Sequence, residues 1–252
     1  MRIDVPTPGQ VPQLRALWKE AFGDTDAFLD SFFSTAFSPR RCRCAAIDGK
    51  IAAALYWFDV SWGETPMAYL YAVATAREFR NRGLCRALMG DTLRHLAAQG
   101  YAGALLVPQG EDLRQMYGKL GFRDACQIRE FVCAAGPEPA PMHRVDGKEY
   151  AALRRRYLPE GAAVQEKENL AFLETQAELY AGLRFLLAAR REGDCLTGLE
   201  LLGDAAAAPG ILTSLGCSRG SFRTPGTGTP FAMFRGLAEG AQPPAYFGLA
   251  FD

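Results

Sequence analysis

The residues best suited to do chemistry lie between Tyr69 and Met89. An apolar strand, Tyr69 to Thr75, runs into a short turn carrying Arg80, Asn81, Arg82 and Gly83, and a long helical pattern opens at once with Leu84, Cys85 and Arg86. Glycine at position 83 permits close main-chain approach and φ values closed to other residues. The first N–H groups of a helix lack intrahelical acceptors, and the helix dipole adds partial positive charge there. Together they make an anion site, and Arg80, Arg82 and Arg86 bring three cations within reach. A pyrophosphate fits that chemistry. No Gly-Lys-Ser/Thr follows and no Gly-x-Gly-x-x-Gly is present, so neither a nucleotide P-loop nor a dinucleotide turn is predicted. The turn taken alone is also compatible with an arginine-decorated helix start that binds nothing.

Those elements need a frame to hold them. The pattern predicts a strand over residues 1–5, a helix with Val11, Leu14, Leu17, Trp18 and Phe22 at helical spacing, and a second helix carrying Phe28, Phe32, Phe33 and Phe37. Asp24 or Thr25 can cap the latter. Residues 41–48 and 51–60 flank Asp48-Gly49, a hairpin signal. A strand over 66–75, a helix over 83–99, a strand over 102–107, a helix over 111–120 and a strand over 127–134 complete a first unit. Gly136-Pro137-Glu138-Pro139-Ala140-Pro141 then breaks all periodicity. The expected organisation is a domain over 1–135, a proline-rich linker over 136–144 and a second domain over 145–252. In the second half, helices over 146–157 and 166–177 precede a hairpin at 184–191 and 195–202. Leu212-Thr213-Ser214-Leu215-Gly216-Cys217 echoes Tyr117-Gly118-Lys119-Leu120-Gly121-Phe122, which suggests a divergent duplication lacking the arginine-glycine turn. The fold class expected is α/β, with a mixed sheet.

Two signatures in order carry a family resemblance. Arg80-Asn81-Arg82-Gly83-Leu84-Cys85 resembles the Arg/Gln-x-x-Gly-x-Gly/Ala turn of the GNAT N-acetyltransferases, and Tyr117-Gly118-Lys119-Leu120-Gly121-Phe122 resembles the Tyr-x-x-Leu-Gly-Phe pattern of that family's fourth helix. Cys85 departs from the usual small residue, and Arg77 stands where proline is common. The resemblance, over roughly residues 1–134, implies an acetyl-CoA site in the GNAT fold. Main chain at Val73, Ala74 and Thr75 would bond the pantetheine arm, residues 80–86 would hold the pyrophosphate, and the arm would pass near Gln109. It implies direct attack of an amine on the thioester, with Tyr117 protonating the leaving thiolate. Tyr117 is equally readable as a packed aromatic. The tandem layout is similar to the enhanced-intracellular-survival type of GNAT enzyme, a resemblance that implies the terminal carboxylate of Asp252 as base. Asp59, Glu64, Glu111 and Asp112 also border the cleft in that fold. Phe28, Phe32, Trp57, Phe58, Trp62, Tyr69 and Tyr71 would either line an acceptor site or form core.

Composition narrows the alternatives. The 252 residues carry 28 Lys plus Arg against 28 Asp plus Glu, a zero net charge that argues against a nucleic-acid partner. Seven cysteines without a Cys-x-x-Cys pair, and only two histidines (His95, His143), argue against a metal site and read as buried small hydrophobes. No apolar run has signal-peptide or membrane-spanning length, so a cytoplasmic protein with no membrane partner is expected. The acceptor expected is a small-molecule or peptide amine, with oligomeric state open. The competing expectation is a non-catalytic acyl-CoA-binding or protein-interaction module.

Overall fold

The computed structural model describes residues 1–251. The chain forms two compact units, Met1–Arg123 with Phe234–Pro243, and Asp124–Met233 with the closing segment from Pro244.

In the first unit, β1 (Arg2–Asp4) leads to α1 (Val11–Phe22) and α2 (Asp26–Thr35), followed by β2 (Cys42–Ile47), β3 (Lys50–Trp62), β4 (Thr65–Thr75), α3 (Leu84–Ala98), β5 (Gly103–Leu106) and α4 (Glu111–Gly118). Sequence chemistry sets these boundaries. Gly23, at φ 77°, ends α1, and Thr25 Oγ1 accepts the Phe28 N–H at 3.2 Å to open α2. Asp48 and Gly49 both take positive φ, the two-residue turn expected of an Asp-Gly hairpin between β2 and β3. The sheet runs β1-β2-β3-β4-β5, antiparallel except for the parallel pair β4 and β5.

Strand alternation sorts the aromatic side chains. Tyr56 and Phe58 pack toward α1 and α2, with Trp18 4.6 Å from Phe32 and 5.0 Å from Tyr56 between ring centroids. Trp57 projects to the opposite face, 6.1 Å from His95 of α3, so it is not part of the aromatic group with which the sequence pattern places it. Trp18, Phe32, Tyr56 and Phe58 are all buried. Arg43 of β2 donates to Asp91 of α3 at 2.6 Å, tying that helix to the sheet.

The second unit holds β6 (Arg123–Ala134, from its second residue), β7 (Met142–Arg144), α5 (Gly147–Tyr157), the two-residue strand β8 (Val164–Gln165), α6 (Glu168–Gln176), β9 (Glu178–Gly182), β10 (Phe185–Glu192), β11 (Cys195–Gly203), α7 (Ala208–Leu215) and β12 (Arg219–Pro225). Its sheet runs β7-β9-β10-β11-β12-β6, with β11 and β12 the parallel pair. From β7 to β12 the succession strand, two helices, three antiparallel strands, helix and parallel strand reproduces β1 to β5 of the first unit. The tight turn with Arg80 and Gly83 and the helix α4 have no counterpart, and the two-residue β8 has none in the first unit.

The division of the chain differs from the one read from sequence. The proline-rich stretch is no spacer: Gly136 and Ala140 donate main-chain N–H groups to Pro209 and Gly210 of α7, each at 3.0 Å, inside the second unit. β6 lies in that unit too, its residues 128–134 paired with β12. A last strand, β13 (Thr229–Gly236), carries the chain back to the first unit at Phe234. There the Leu237 N–H donates to Ala102 O at 2.8 Å, and Phe234 fills the space over Gly103, where a Cβ would lie 2.2 Å from its ring.

The second unit is anchored by a buried ion pair. Arg154 of α5 donates to both carboxylate oxygens of Glu200 at 2.7 and 2.9 Å, and Tyr150 and Tyr246 also donate to Glu200. Gln165 bonds the main chain of Leu249 in both directions, at 2.7 and 3.1 Å, holding residues 247–251 in place without strand structure. Among the described residues no helix is long and apolar enough to cross a membrane.

Candidate functional site

The parallel pair β4–β5 stays in register from Met67↔Gly103 to Tyr69↔Leu105, and the pairing ends there. Past that point β4 continues for six residues. It also changes course: Ala72 has φ 48° and the β3–β4 register shifts between Ala54 and Tyr56, so Ala72 and Val73 together face Leu55. This is a β-bulge, a device that re-aims main-chain groups. Beyond it, Ala76 N–H donates to Ala52 O at 2.9 Å and Ala74 pairs with Ala54. Alternation then turns the main-chain groups of Val73 and Thr75 away from β3, toward the side where β5 has parted. A polar strand edge is thus open beside Val73, while Thr75 O on the same edge accepts from Arg80.

The turn after β4 is shaped by its own residues. A single 3-10 turn at Arg77–Phe79 is followed by Asn81 at φ 61° and Gly83 at φ 75°, two left-handed residues close together. Arg80 folds back, its Nε donating to Thr75 O at 3.1 Å, and Arg82 lies over the Phe79 ring at 5.4 Å. Arg77, which replaces the common proline, puts its N–H to use on Glu20 Oε1 at 2.6 Å. α3 begins with no side-chain cap on its first N–H groups and no acidic residue in its first turn. Leu84 and Leu88 are buried, whereas Arg80, Asn81, Arg82, Gly83 and Arg86 are exposed. Uncapped N–H groups and three arginines therefore face solvent on one turn, an arrangement that suits a polyanion.

Tyr117 sits on α4, the helix that follows β5, as α3 follows β4. Its side chain is 7% exposed, its ring meets Phe122 at 6.0 Å, and among the described residues its hydroxyl has no hydrogen-bond partner. Burial pushes its pKa well above the ordinary value of about 10, with a smaller push from the Cys85 thiol. Burial likewise raises Cys85 above its usual value, keeping it a thiol. Cys85 and Tyr117, thirty-two positions apart in sequence, thus feel each other's charge in the folded chain.

Two of the carboxylates flagged in the sequence are engaged by neighbouring side chains. Asp59 accepts the Tyr101 hydroxyl at 2.5 Å and is paired with Arg41, and Glu111 accepts from Gln115 at 3.2 Å. His143 is 3.7 Å from Glu149. Asp252 lies outside the described residues. Sequence reasoning missed the bulge at Ala72, since nothing in Tyr-Ala-Val-Ala distinguishes a bulged strand from a regular one. It also missed the return of residues 234–243.

The first unit thus carries splayed parallel strands, an uncapped, arginine-rich helix start and a buried phenol. Residues 2–125 match the family model of the acetyltransferase (GNAT) domain, so that part of the chain is a GNAT acetyltransferase domain. Solved structures share the fold of nearly the whole chain. A GCN5-related N-acetyltransferase from Anabaena variabilis matches at TM-score 0.73 and 16% identity, over 94% of this chain and 73% of that one. A GCN5-related N-acetyltransferase from Kribbella flavida matches at 0.71 and 17%, over 93% and 70%. Eis1 from Mycobacterium abscessus matches at 0.69 and 12%, over 94% and 74%. No curated protein matches the sequence.

Proposed function

We propose that this protein transfers an acyl group, acetyl being the expected one, from a coenzyme A thioester to a primary amine of a small molecule or peptide, in a ternary complex. The observation that carries the reading is the opening of β4 from β5 between an uncapped, arginine-rich helix start and the buried Tyr117 hydroxyl. The pyrophosphate lies on residues 80–86, and the pantetheine arm bonds the free edge at Val73, Ala74 and Thr75 as an added strand would. The amine nitrogen attacks the thioester carbonyl carbon, the oxygen takes up negative charge, and an N–H from the bulge at Ala72–Val73 receives it. The C–S bond then breaks. The sulfur gains one proton and the nitrogen loses one, so the reaction is balanced without a further reactant.

The raised pKa of Tyr117 refines its part. A phenol above pKa 10 is a weaker acid than a thiol near 8.5. Tyr117 therefore supplies a hydrogen bond to the sulfur as charge develops, and a proton only as one returns from the amine. Asp252 is the group proposed to take the amine proton.

The test is release of coenzyme A thiol from acetyl-CoA with a panel of amines: a lysine peptide, spermidine and an aminoglycoside. Tyr117→Phe is expected to lower kcat roughly 10²-fold with coenzyme affinity unchanged. In the same assay, deletion of Asp252 alone spares Phe251, which packs on Phe172 at 5.2 Å, and unchanged turnover removes the proposed base. Tight coenzyme binding without thiol release for any amine would identify a binding module instead.

A further inference from the structure

Core packing does not account fully for the aromatic side chains between the sheet and the first two helices. Tyr56 of β3 faces Tyr71 of β4, the last pair before the bulge at Ala72. Trp18 of α1 lies 5.0 Å from the Tyr56 ring and 5.6 Å from that of Tyr71. Phe33 and Phe37 stand 6.3 and 6.2 Å from Tyr56 and 4.8 Å from each other. Trp18, Phe32 and Tyr56 are buried, whereas Phe33, Phe37 and Tyr71 are half-buried. Buried rings thus form a floor and half-buried rings a rim. The Tyr56 hydroxyl is buried with no hydrogen-bond partner among the described residues, a cost that phenylalanine would avoid in a plain core.

The wall is also short of negative charge. α1, α2 and the turn between them hold four carboxylates, and each already serves another group. Glu20 accepts the Arg77 N–H, and Asp24 accepts Trp18 Nε1–H at 2.7 Å. Asp26 is paired with Lys19 at 2.9 Å and Asp30 with Arg15 at 2.6 Å. Arg15 also lies over the Phe33 ring, 5.3 Å from its centroid.

On the acyltransferase reading, on which this inference rests, a coenzyme seated at the start of α3 occupies the α3 face of the sheet. Its acyl carbon reaches the gap at the bulge, and the amine arrives from the opposite face, past Tyr71. We propose that the acceptor is a primary monoamine carried on an aromatic ring, and that Phe33, Phe37 and Tyr71 select it against polycations such as spermidine and aminoglycosides. Burial of the ring supplies affinity. An apolar surround also disfavours the ammonium form, and only a neutral nitrogen attacks. Each further ammonium group of a polycation would lose water there, with every carboxylate of α1 and α2 already engaged.

Thiol release from acetyl-CoA by the full chain tests this with 2-phenylethylamine, ethylamine and spermidine, each rate referred to the neutral amine. kcat/KM for 2-phenylethylamine is expected to exceed that for ethylamine about tenfold to a hundredfold, the worth of burying one phenyl group, and to exceed that for spermidine too. Tyr71→Ala and Phe33→Ala are each expected to shrink the ratio of 2-phenylethylamine to ethylamine about tenfold, chiefly through KM, with melting curves to show that the fold is kept. Phe33 lies on α2, outside the sheet, so Phe33→Ala decides the matter if Tyr71→Ala unfolds. A wild-type ratio near one, a ratio unmoved by Phe33→Ala, or a higher kcat/KM for spermidine overturns the aromatic acceptor while the acyltransferase reading stands. Thiol release with no amine, the lysine peptide and the aminoglycoside included, overturns that reading and the aromatic acceptor with it.

Discussion

At the scale of single residues, the site depends on backbone shape more than on reactive side chains. Gly83 has φ 75° with nothing within 4 Å of a built Cβ, so a side chain there meets strain and no clash. Left-handed backbone costs an ordinary residue about 1–2 kcal/mol. Gly83→Val is therefore expected to keep the fold and weaken coenzyme A binding about tenfold or more, by displacing the N–H groups of Leu84 and Cys85. Titration calorimetry alongside a melting curve separates the two effects. The arginines and Gly83 were readable because glycine before a helix and clustered cations each have a direct physical meaning. Tyr117 was readable as an aromatic on a helix, whereas its raised pKa was not, because burial by distant segments sets it.

At the scale of elements, the helices and the Asp48-Gly49 hairpin follow the sequence pattern closely, α3 within a residue of its expected start and end. Local periodicity encodes such elements. It does not encode which strands meet, and there the structure departs from expectation. The proline-rich stretch looked like a connector because prolines break periodicity, yet Thr213 Oγ1 donates to Gly136 O at 2.8 Å and Ser214 Oγ to Ala140 O at 2.7 Å, docking it on α7. Phe231-Ala-Met-Phe234 reads as one apolar strand, and nothing in it says that its end serves another unit. Gly103 is the receiving half of that arrangement. Gly103→Ala is expected to destabilise by about 1–3 kcal/mol, because its Cβ would overlap the Phe234 ring. Adding Phe234→Leu should recover part of the loss in urea unfolding, and purely additive losses would contradict the contact.

For the whole molecule, the duplicated succession of elements shows one architecture used twice with different priorities. One copy keeps an open strand edge and a bare helix start. The other closes around the buried Arg154–Glu200 pair. Burial governs the pH response of both. Tyr56, Tyr117, Tyr150 and Tyr246 are all pushed up by burial, as is Cys42, while Cys44 is raised to about 11 and Cys126 to about 12. Above about pH 8.5 the unfolded chain sheds protons that the folded chain retains. The unfolded state then binds fewer protons, so stability falls as pH rises, by up to about 1.4 kcal/mol per pH unit for each group within its window. Thermal melting from pH 7.5 to 10.5 is expected to show Tm falling progressively, and a flat profile would contradict these shifts.

The return of residues 234–243 to the first unit also bears on how the protein is made. When β5 leaves the ribosome β4 is already made, but the neighbour of its other edge, β13, is still untranslated. At about 5–20 residues per second, the wait is on the order of ten seconds. During that interval an apolar strand edge lies bare, the kind of surface that chaperones capture and nascent chains stick to. Completion of the catalytic half is thereby timed by synthesis of the other half, and a message cut short before codon 234 would yield a polypeptide that holds both signature motifs and still lacks a finished sheet.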